Sequence, residues 1–71
     1  MIEKTFAYHK PSPGGLEVIT KLRVAYSDLK ARIEQVAPHS RERAVALTEL
    51  ETSAMWAIKS VVANDPASEV A

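Results

Sequence analysis

Pro38 limits this chain to a fold of two helices, because it stands between two long stretches of helical pattern. Proline disfavours helical geometry in the residue before it, so the first helix is predicted to end near Ala37. With only Pro38 and His39 between them, the two helices must run antiparallel. Apolar residues of the first helix recur at alternating spacings of three and four, the pattern of one helix face. They are Ile19, Leu22, Tyr26, Leu29, Ile33 and Val36.

The second helix carries apolar residues over more of its surface than one partner helix can cover. Ser40 is suited to cap its N-terminus, and Glu42 places a favourable charge in its first turn. Asp65 followed by Pro66 is predicted to end it. One apolar stripe consists of Leu47, Leu50, Ala54, Ile58 and Val61. A second stripe consists of Val45, Thr48, Thr52, Met55 and Val62, with Trp56 apart from it.

Residues 1–15 have no helical period and contain two prolines and two glycines, which favour an extended arm ending in a turn. Ser12 followed by Pro13 is suited to begin a helix, but the two glycines after them weaken its first turn. We therefore predict an all-α fold. It comprises an N-terminal arm and turn at 1–15, an antiparallel two-helix hairpin at 16–65 and a flexible tail at 66–71.

A chain of 71 residues without cysteine has few routes to stability. A monomer of this size buries only about 60% of the surface that its unfolded chain exposes. His9 and His39 have no carboxylate cluster near them in the sequence, so we expect neither a metal nor another cofactor. The second stripe of helix two is therefore expected to be covered by another copy of the chain in a homo-oligomer. Burial of this stripe by the arm within one monomer is the alternative.

The charge balance argues against several classes of partner. Nine basic residues offset nine acidic ones, whereas binders of polymeric nucleic acid usually carry a basic excess. No apolar run approaches the roughly 20 residues that span a bilayer, so no membrane partner is expected. The N-terminus does not resemble a signal peptide. These features predict a cytoplasmic protein.

No catalytic arrangement emerges from the sequence. Ser12, Ser40 and His39 could suggest a nucleophile with a base, but no third group is placed to orient them. Ser40 is better explained as a helix cap, and His39 as a turn residue. The glutamates of the second helix do not converge on one point: Glu42, Glu49 and Glu51. We therefore expect a binding protein rather than an enzyme.

The arm offers the best candidate for a binding site. An aromatic ring, an imidazole and a cation follow one another on a segment stiffened by proline, and aromatic rings stack on bases while cations neutralise phosphates. Two further cations of the first helix, expected on neighbouring faces, could meet the arm of the same or another protomer. The candidates are Tyr8, His9, Lys10, Pro11, Lys21 and Arg23. Alternatively, the tyrosine packs on the hairpin and the cations only face water.

Four strings of this sequence resemble the hairpin domain of phage anti-CBASS sponges, small proteins that sequester cyclic oligonucleotide messengers. They are Tyr8-His9-Lys10-Pro11, Leu22-Arg23, the run SRERAVALTELE at 40–51 and the AMWA at 54–57. A related set of sponges captures the cyclic ADP-ribose-type messengers of Thoeris. The resemblance covers about residues 6 to 64.

The resemblance implies a helical-hairpin protomer in a homohexamer, with pockets between protomers that bind messengers such as cGAMP without cleaving them. It implies action in the host cytoplasm during phage infection. By their place in the motifs, Tyr8 would stack on a base and Arg23 would hold phosphate, with Lys21 as the second choice. His9 and Lys10 would line the same pocket or a neighbouring one.

The chain departs from the family in two places. Members often carry Arg-Tyr where this chain has Val18-Ile19. Many members end the second helix with Ala-Arg-Asn, whereas this chain has Val62-Ala63-Asn64, so the arginine linked to cyclic trinucleotide binding in some members is missing. The main alternative function is an oligomeric helical-hairpin protein that binds a macromolecular partner. A nuclease or phosphodiesterase is the enzyme alternative.

Overall fold

Two long helices joined by a short connection form the protein in the computed structural model. The structure describes residues 9–10, 12–65 and 69–70, with side chains for 12–65. The elements are β1 (His9–Lys10), α1 (Pro13–Val36), α2 (Arg41–Asn64) and β2 (Glu69–Val70). The two helices pack along each other, which confirms the predicted helical hairpin. Neither helix is long and apolar enough to cross a membrane, within this described part of the chain.

Helix α1 begins at Pro13, three residues before the predicted position. Ser12 is its N-cap, and the Ser12 Oγ accepts a hydrogen bond from the Gly15 backbone N–H at 3.0 Å. Proline at the first helical position is already constrained to helical φ. The cap and the proline together therefore offset the two weak glycines. The helix ends as predicted, with the Ala37 N–H bonded to the Ile33 carbonyl at 2.9 Å.

Helix α2 begins where the sequence predicts, because Ser40 satisfies backbone groups on both sides of the connection. Its Oγ accepts from the Arg43 N–H at 3.1 Å and donates to the Pro38 carbonyl at 3.1 Å. The Arg43 guanidinium also reaches back to the Ala37 carbonyl at 3.4 Å. These contacts hold the end of α1 close to the start of α2. The helix ends at Asn64, with Asp65 as its C-cap.

Replacement of the Ser40 cap tests this account of the connection. Ser40→Ala is expected to lower the free energy of unfolding by about 1 kcal/mol, because the Arg43 N–H loses its partner. Ser60→Ala is the matched control, since Ser60 is exposed inside α2 and alanine is a better helix former. Urea unfolding at one fixed protein concentration measures both. Equal stability of the two variants would contradict the capping role.

A short antiparallel ribbon joins the two ends of the described chain. His9 pairs with Val70, and Lys10 pairs with Glu69. The flexible tail at 66–71 stays a prediction, and within it the structure pairs the backbone of Glu69 and Val70 with β1. Extended backbone has unpaired N–H and C=O groups, and β1 supplies partners for them. The pattern of residue types in the tail contains no signal for this pairing.

The contact between the helices leaves the protein with a thin core. Within residues 12–65, Ile19 is the one buried hydrophobic side chain, and α2 has no buried residue. The first stripe of α2 is half-buried against α1, as predicted for a seam: Leu47, Leu50, Ala54, Ile58 and Val61. Leu29 and Val36 of the predicted α1 seam stay exposed. The hairpin alone therefore removes little apolar surface from water.

Three large apolar side chains of α2 are exposed, two of them from the second stripe and the third Trp56. Met55 is 71% exposed, Trp56 is 63% exposed and Val45 is 46% exposed. With 3.6 residues per turn, Val45 and Trp56 point about 160–180° away from Ala54, which faces α1. This outer face, defined here as Val45, Met55 and Trp56, lies outside the contact with α1; Lys59 Nζ lies 5.5 Å from the centroid of the Trp56 ring. Exposed apolar groups on this scale are typical of interaction surfaces.

Candidate ligand-binding site

The arm strand lies at the end of the hairpin where α1 begins and α2 ends. The backbone of His9 and Lys10 forms β1, which pairs with β2 and lies beside α2. Tyr8 and Pro11, the other two candidates on the arm, lie outside the described residues. The structure thus brings a backbone segment rich in candidate ligand-binding residues to one end of the helix pair.

Lys21 and Arg23 lie on opposite sides of α1. Each is one residue from Leu22, which is half-buried on the face towards α2. Successive residues of an α-helix are rotated by about 100°, so the two cations point about 200° apart. The prediction of neighbouring faces is wrong, because α1 is continuous through this stretch. The two side chains cannot hold the same small anion within one protomer.

The surroundings of the two cations favour Arg23 as the anion-binding group. Lys21 Nζ lies 3.5 Å from Glu17 Oε1, so its charge is partly offset. Arg23 is exposed, and its guanidinium forms no ion pair or hydrogen bond with any other residue that the structure describes. A guanidinium group also offers paired N–H donors that match the geometry of a phosphate. Arg23 is therefore ready to bind an oxyanion without first breaking a contact to those residues.

Two cavities formed by described residues lie away from the candidates. A groove of about 250 Å³ between the helices is lined by Tyr26, Ser27, Lys30, Leu47, Leu50, Glu51 and Ala54. Beside it, the Tyr26 hydroxyl and Ser53 Oγ form a hydrogen bond of 2.7 Å. A cavity of about 210 Å³ near the connection is lined by His39, Ser40, Arg43, Ala44 and Leu47. Neither cavity includes a candidate residue.

One contact at this end of the hairpin was not foreseen from the sequence. The Ser12 hydroxyl donates to Asp65 Oδ2 at 2.5 Å, so a residue before α1 is tied to the residue after α2. The two residues are far apart in the chain, and no spacing rule links them. One feature of the sequence is consistent with this contact: α1 has no acidic residue in its first turn, and a helix N-terminus favours a negative charge nearby.

Most of the chain matches a known protein family, and the matched part includes the arm, α1 and nearly all of α2. A family model described as "Acb2/Tad1, hairpin domain" matches residues 1–62. This chain belongs to that family. The Acb2/Tad1 match confirms the resemblance to anti-CBASS and anti-Thoeris sponges, and all six candidate residues fall within the matched range. No significant match exists among curated proteins or among solved structures.

Two serine hydroxyl groups that could suggest a nucleophile act as helix caps in the structure. The Ser40 hydroxyl caps α2 and contacts the Pro38 carbonyl, while His39 is an exposed residue of the connection. Ser12 Oγ likewise serves as a cap. Over the described residues, no group of three or more His, Cys, Asp or Glu side chains is placed to hold a metal ion.

Proposed function

We propose that this protein binds and sequesters cyclic oligonucleotide immune messengers without cleaving them, and so blocks CBASS signalling in the infected cell. Cyclic dinucleotides such as cGAMP are the proposed ligands; cyclic trinucleotides are the second class to be tested, because this chain has Ala63 where some members have an arginine linked to their binding. The observation that carries the proposal is the Acb2/Tad1 match over residues 1–62. That range contains both the aromatic arm and the exposed guanidinium of Arg23.

The candidate residues supply the two kinds of contact that a cyclic dinucleotide needs. Tyr8 offers a ring on which a base can stack, a contact worth about 1–3 kcal/mol per base. Arg23 offers charge-assisted hydrogen bonds to a phosphate. His9, Lys10 and Pro11 follow Tyr8 in the arm and are proposed to line the same pocket or a neighbouring one. Because Lys21 points away from Arg23, we assign Lys21 to a different pocket, formed with a neighbouring protomer.

We further propose that the working form is a homo-oligomer, with a hexamer as the expected size. The support is the outer face of α2, where Trp56 and Met55 remain largely exposed although a two-helix monomer is marginal in stability. A second copy of the chain offers a face of matching apolar character. Sites between protomers would then contain an arm from one copy and α1 of another.

Sequestration follows from mass action rather than from turnover. A protein that binds a messenger tightly keeps its free concentration below the level that the effector requires. If each site is shared by two protomers, a bound messenger also stabilises the assembly, because it binds the assembled state alone. Abundance and affinity therefore determine the effect, and no chemical step is needed.

Calorimetry with recovery of the ligand tests the proposal. The protein is titrated with a panel of cyclic dinucleotides, cyclic trinucleotides and cyclic ADP-ribose isomers, then denatured, and the released compound is identified by mass spectrometry. We expect submicromolar binding of at least one cyclic dinucleotide, its release intact, and loss of binding in Tyr8→Ala. Release of a linear product would instead indicate an enzyme. Absence of binding across the panel would favour a hairpin that binds a macromolecule.

A further inference from the structure

Three residues connect the start of α1 to the end of α2, and we name Ser12, Gly15 and Asp65 the latch. Ser12 Oγ accepts from the Gly15 N–H at 3.0 Å and donates its own proton to Asp65 Oδ2 at 2.5 Å. Ser12 and Asp65 are half-buried, and Gly15 is buried. One hydroxyl group therefore caps α1 and also ties it to the end of α2.

Charge favours the position of the Asp65 side chain. A carboxylate at a helix C-terminus is unfavourable, because the free carbonyl groups there carry partial negative charge. Asp65 is the C-cap of α2, and the last turn of α2 has no basic residue. The N-terminus of α1 offers the opposite partial charge and has no acidic residue in its own first turn. The latch thus places the carboxylate where α1 lacks one.

Glycine at position 15 leaves room for the Asp65 carboxylate, and its backbone angles are not unusual. No glycine of the described chain has a positive φ. A Cβ atom at Gly15 would lie 2.5 Å from Asp65 Oδ2, so the carboxylate would have to move away from its position in the latch. A Cβ atom at Gly14 would have no neighbour within 4 Å. Of the two adjacent glycines, only Gly15 would bring a side chain against the Asp65 carboxylate, and also within 3.3 Å of Ser12 Oγ.

The latch stands at the base of the β1–β2 ribbon. Ser12 follows Lys10 closely in the chain, and Asp65 precedes Glu69, the residue that pairs with Lys10. Strands of two residues each are too short to be stable alone, so their pairing needs its two chain segments to be held together. The latch shortens the loop that the ribbon must close, which lowers the entropy cost of pairing.

We propose that Ser12, Gly15 and Asp65 are positioning residues that hold β1, which contains the candidate ligand-binding residues His9 and Lys10, against the end of the hairpin. The identity of the ligand rests on the proposed function, whereas the ordering of β1 does not. The family match ends at residue 62 and so assigns no role to Asp65. The latch acts on binding through the arm and needs no contact with the ligand.

Four variants distinguish an effect of the latch on the position of β1 from an effect on the stability of the whole protein. Gly15→Ala and Asp65→Ala break the latch, and Gly14→Ala is the matched control. The double variant Gly15→Ala/Asp65→Ala has no carboxylate for the new Cβ atom to meet, and it also lacks the latch. Hydrogen exchange of the β1 and β2 backbone amides, followed by NMR, reports ordering of the arm. Thermal unfolding and calorimetry with cyclic GMP–AMP complete the set, all at one protein concentration.

We expect both latch-breaking variants to exchange the ribbon amides about tenfold faster and to bind cyclic GMP–AMP about tenfold more weakly, equivalent to about 1.4 kcal/mol. Gly14→Ala should match the wild type in both and unfold at a slightly higher temperature, since alanine favours the helix. The double variant should regain thermal stability relative to Gly15→Ala and keep its fast exchange and weak binding.

Two results would contradict the proposed positioning role of the latch. One is recovery of binding together with stability in the double variant, which would indicate a purely structural role. The other is unchanged amide exchange in Asp65→Ala, which would show that the contact does not order β1. If the wild-type protein fails to bind cyclic GMP–AMP and the rest of the panel, the proposed function fails, and the exchange rates still decide on the latch.

Discussion

Trp56→Glu is expected to break the homo-oligomer and to abolish messenger binding in the same step. Trp56 is 63% exposed on the outer face of α2. Covering it with another chain removes on the order of 100 Å² of apolar surface from water, worth on the order of 2–3 kcal/mol in each copy. A carboxylate at the same place would have to be buried without a partner, which adds a further penalty. Sites shared between protomers would disappear with the assembly.

Sedimentation velocity and calorimetry measure the two losses, and circular dichroism at the same concentration shows whether helix remains. Gln35→Glu is the control, because it adds the same charge at an exposed position of α1 that points away from α2. Trp56→Phe keeps a large apolar side chain and should retain the oligomer. A Trp56→Glu protein with the mass of the wild type would show that this face is not the interface.

Arg23→Ala is expected to weaken the binding of cyclic GMP–AMP by about 10- to 100-fold, as hydrogen bonds to charged groups contribute about 1.5–3 kcal/mol. Arg23→Lys should fall between the wild type and Arg23→Ala, because an ammonium group lacks the paired donors of guanidinium. Added salt should weaken binding of the wild type more than binding of Arg23→Ala, because the variant has lost one charge that salt screens.

Arg32→Ala controls for the loss of one positive charge, since Arg32 is also exposed on α1 and lies farther from the arm. Lys21→Ala distinguishes the two candidate cations. Calorimetry on the wild type and the four variants, with sedimentation to confirm an unchanged oligomer, gives the comparison. Full affinity in Arg23→Ala with loss in Lys21→Ala would assign the phosphate contact to Lys21.

The helix ends could be predicted because each depends on a residue nearby. Pro38 acts on the residue before it, and Ser40 caps groups within one turn of itself, so the local sequence contains the whole argument. The start of α1 was predicted three residues late for a related reason. Gly14 and Gly15 disfavour a helical turn, but the Ser12 cap and Pro13 stabilise that turn enough for the helix to begin before them.

The ribbon and the latch could not be predicted, because they join residues that are distant in the chain. Which backbone segment pairs with β1 depends on where α2 ends in space, and the residue types of the tail do not encode that position. The opposed directions of Lys21 and Arg23 are a different case. Helix geometry alone separates residues two apart by about 200°, so the opposed directions of these two cations follow from the sequence once α1 is recognised.

The connection between the helices lies about 36 Å along α1 from the end that carries the arm, given a rise of 1.5 Å per residue. Because the chain contains no cysteine, His39→Cys would create a unique thiol in an exposed turn. A dye or a surface linker attached there would leave the arm and the latch untouched. The hairpin can thus be immobilised or made fluorescent by one substitution, which would turn it into a reporter for whatever it captures.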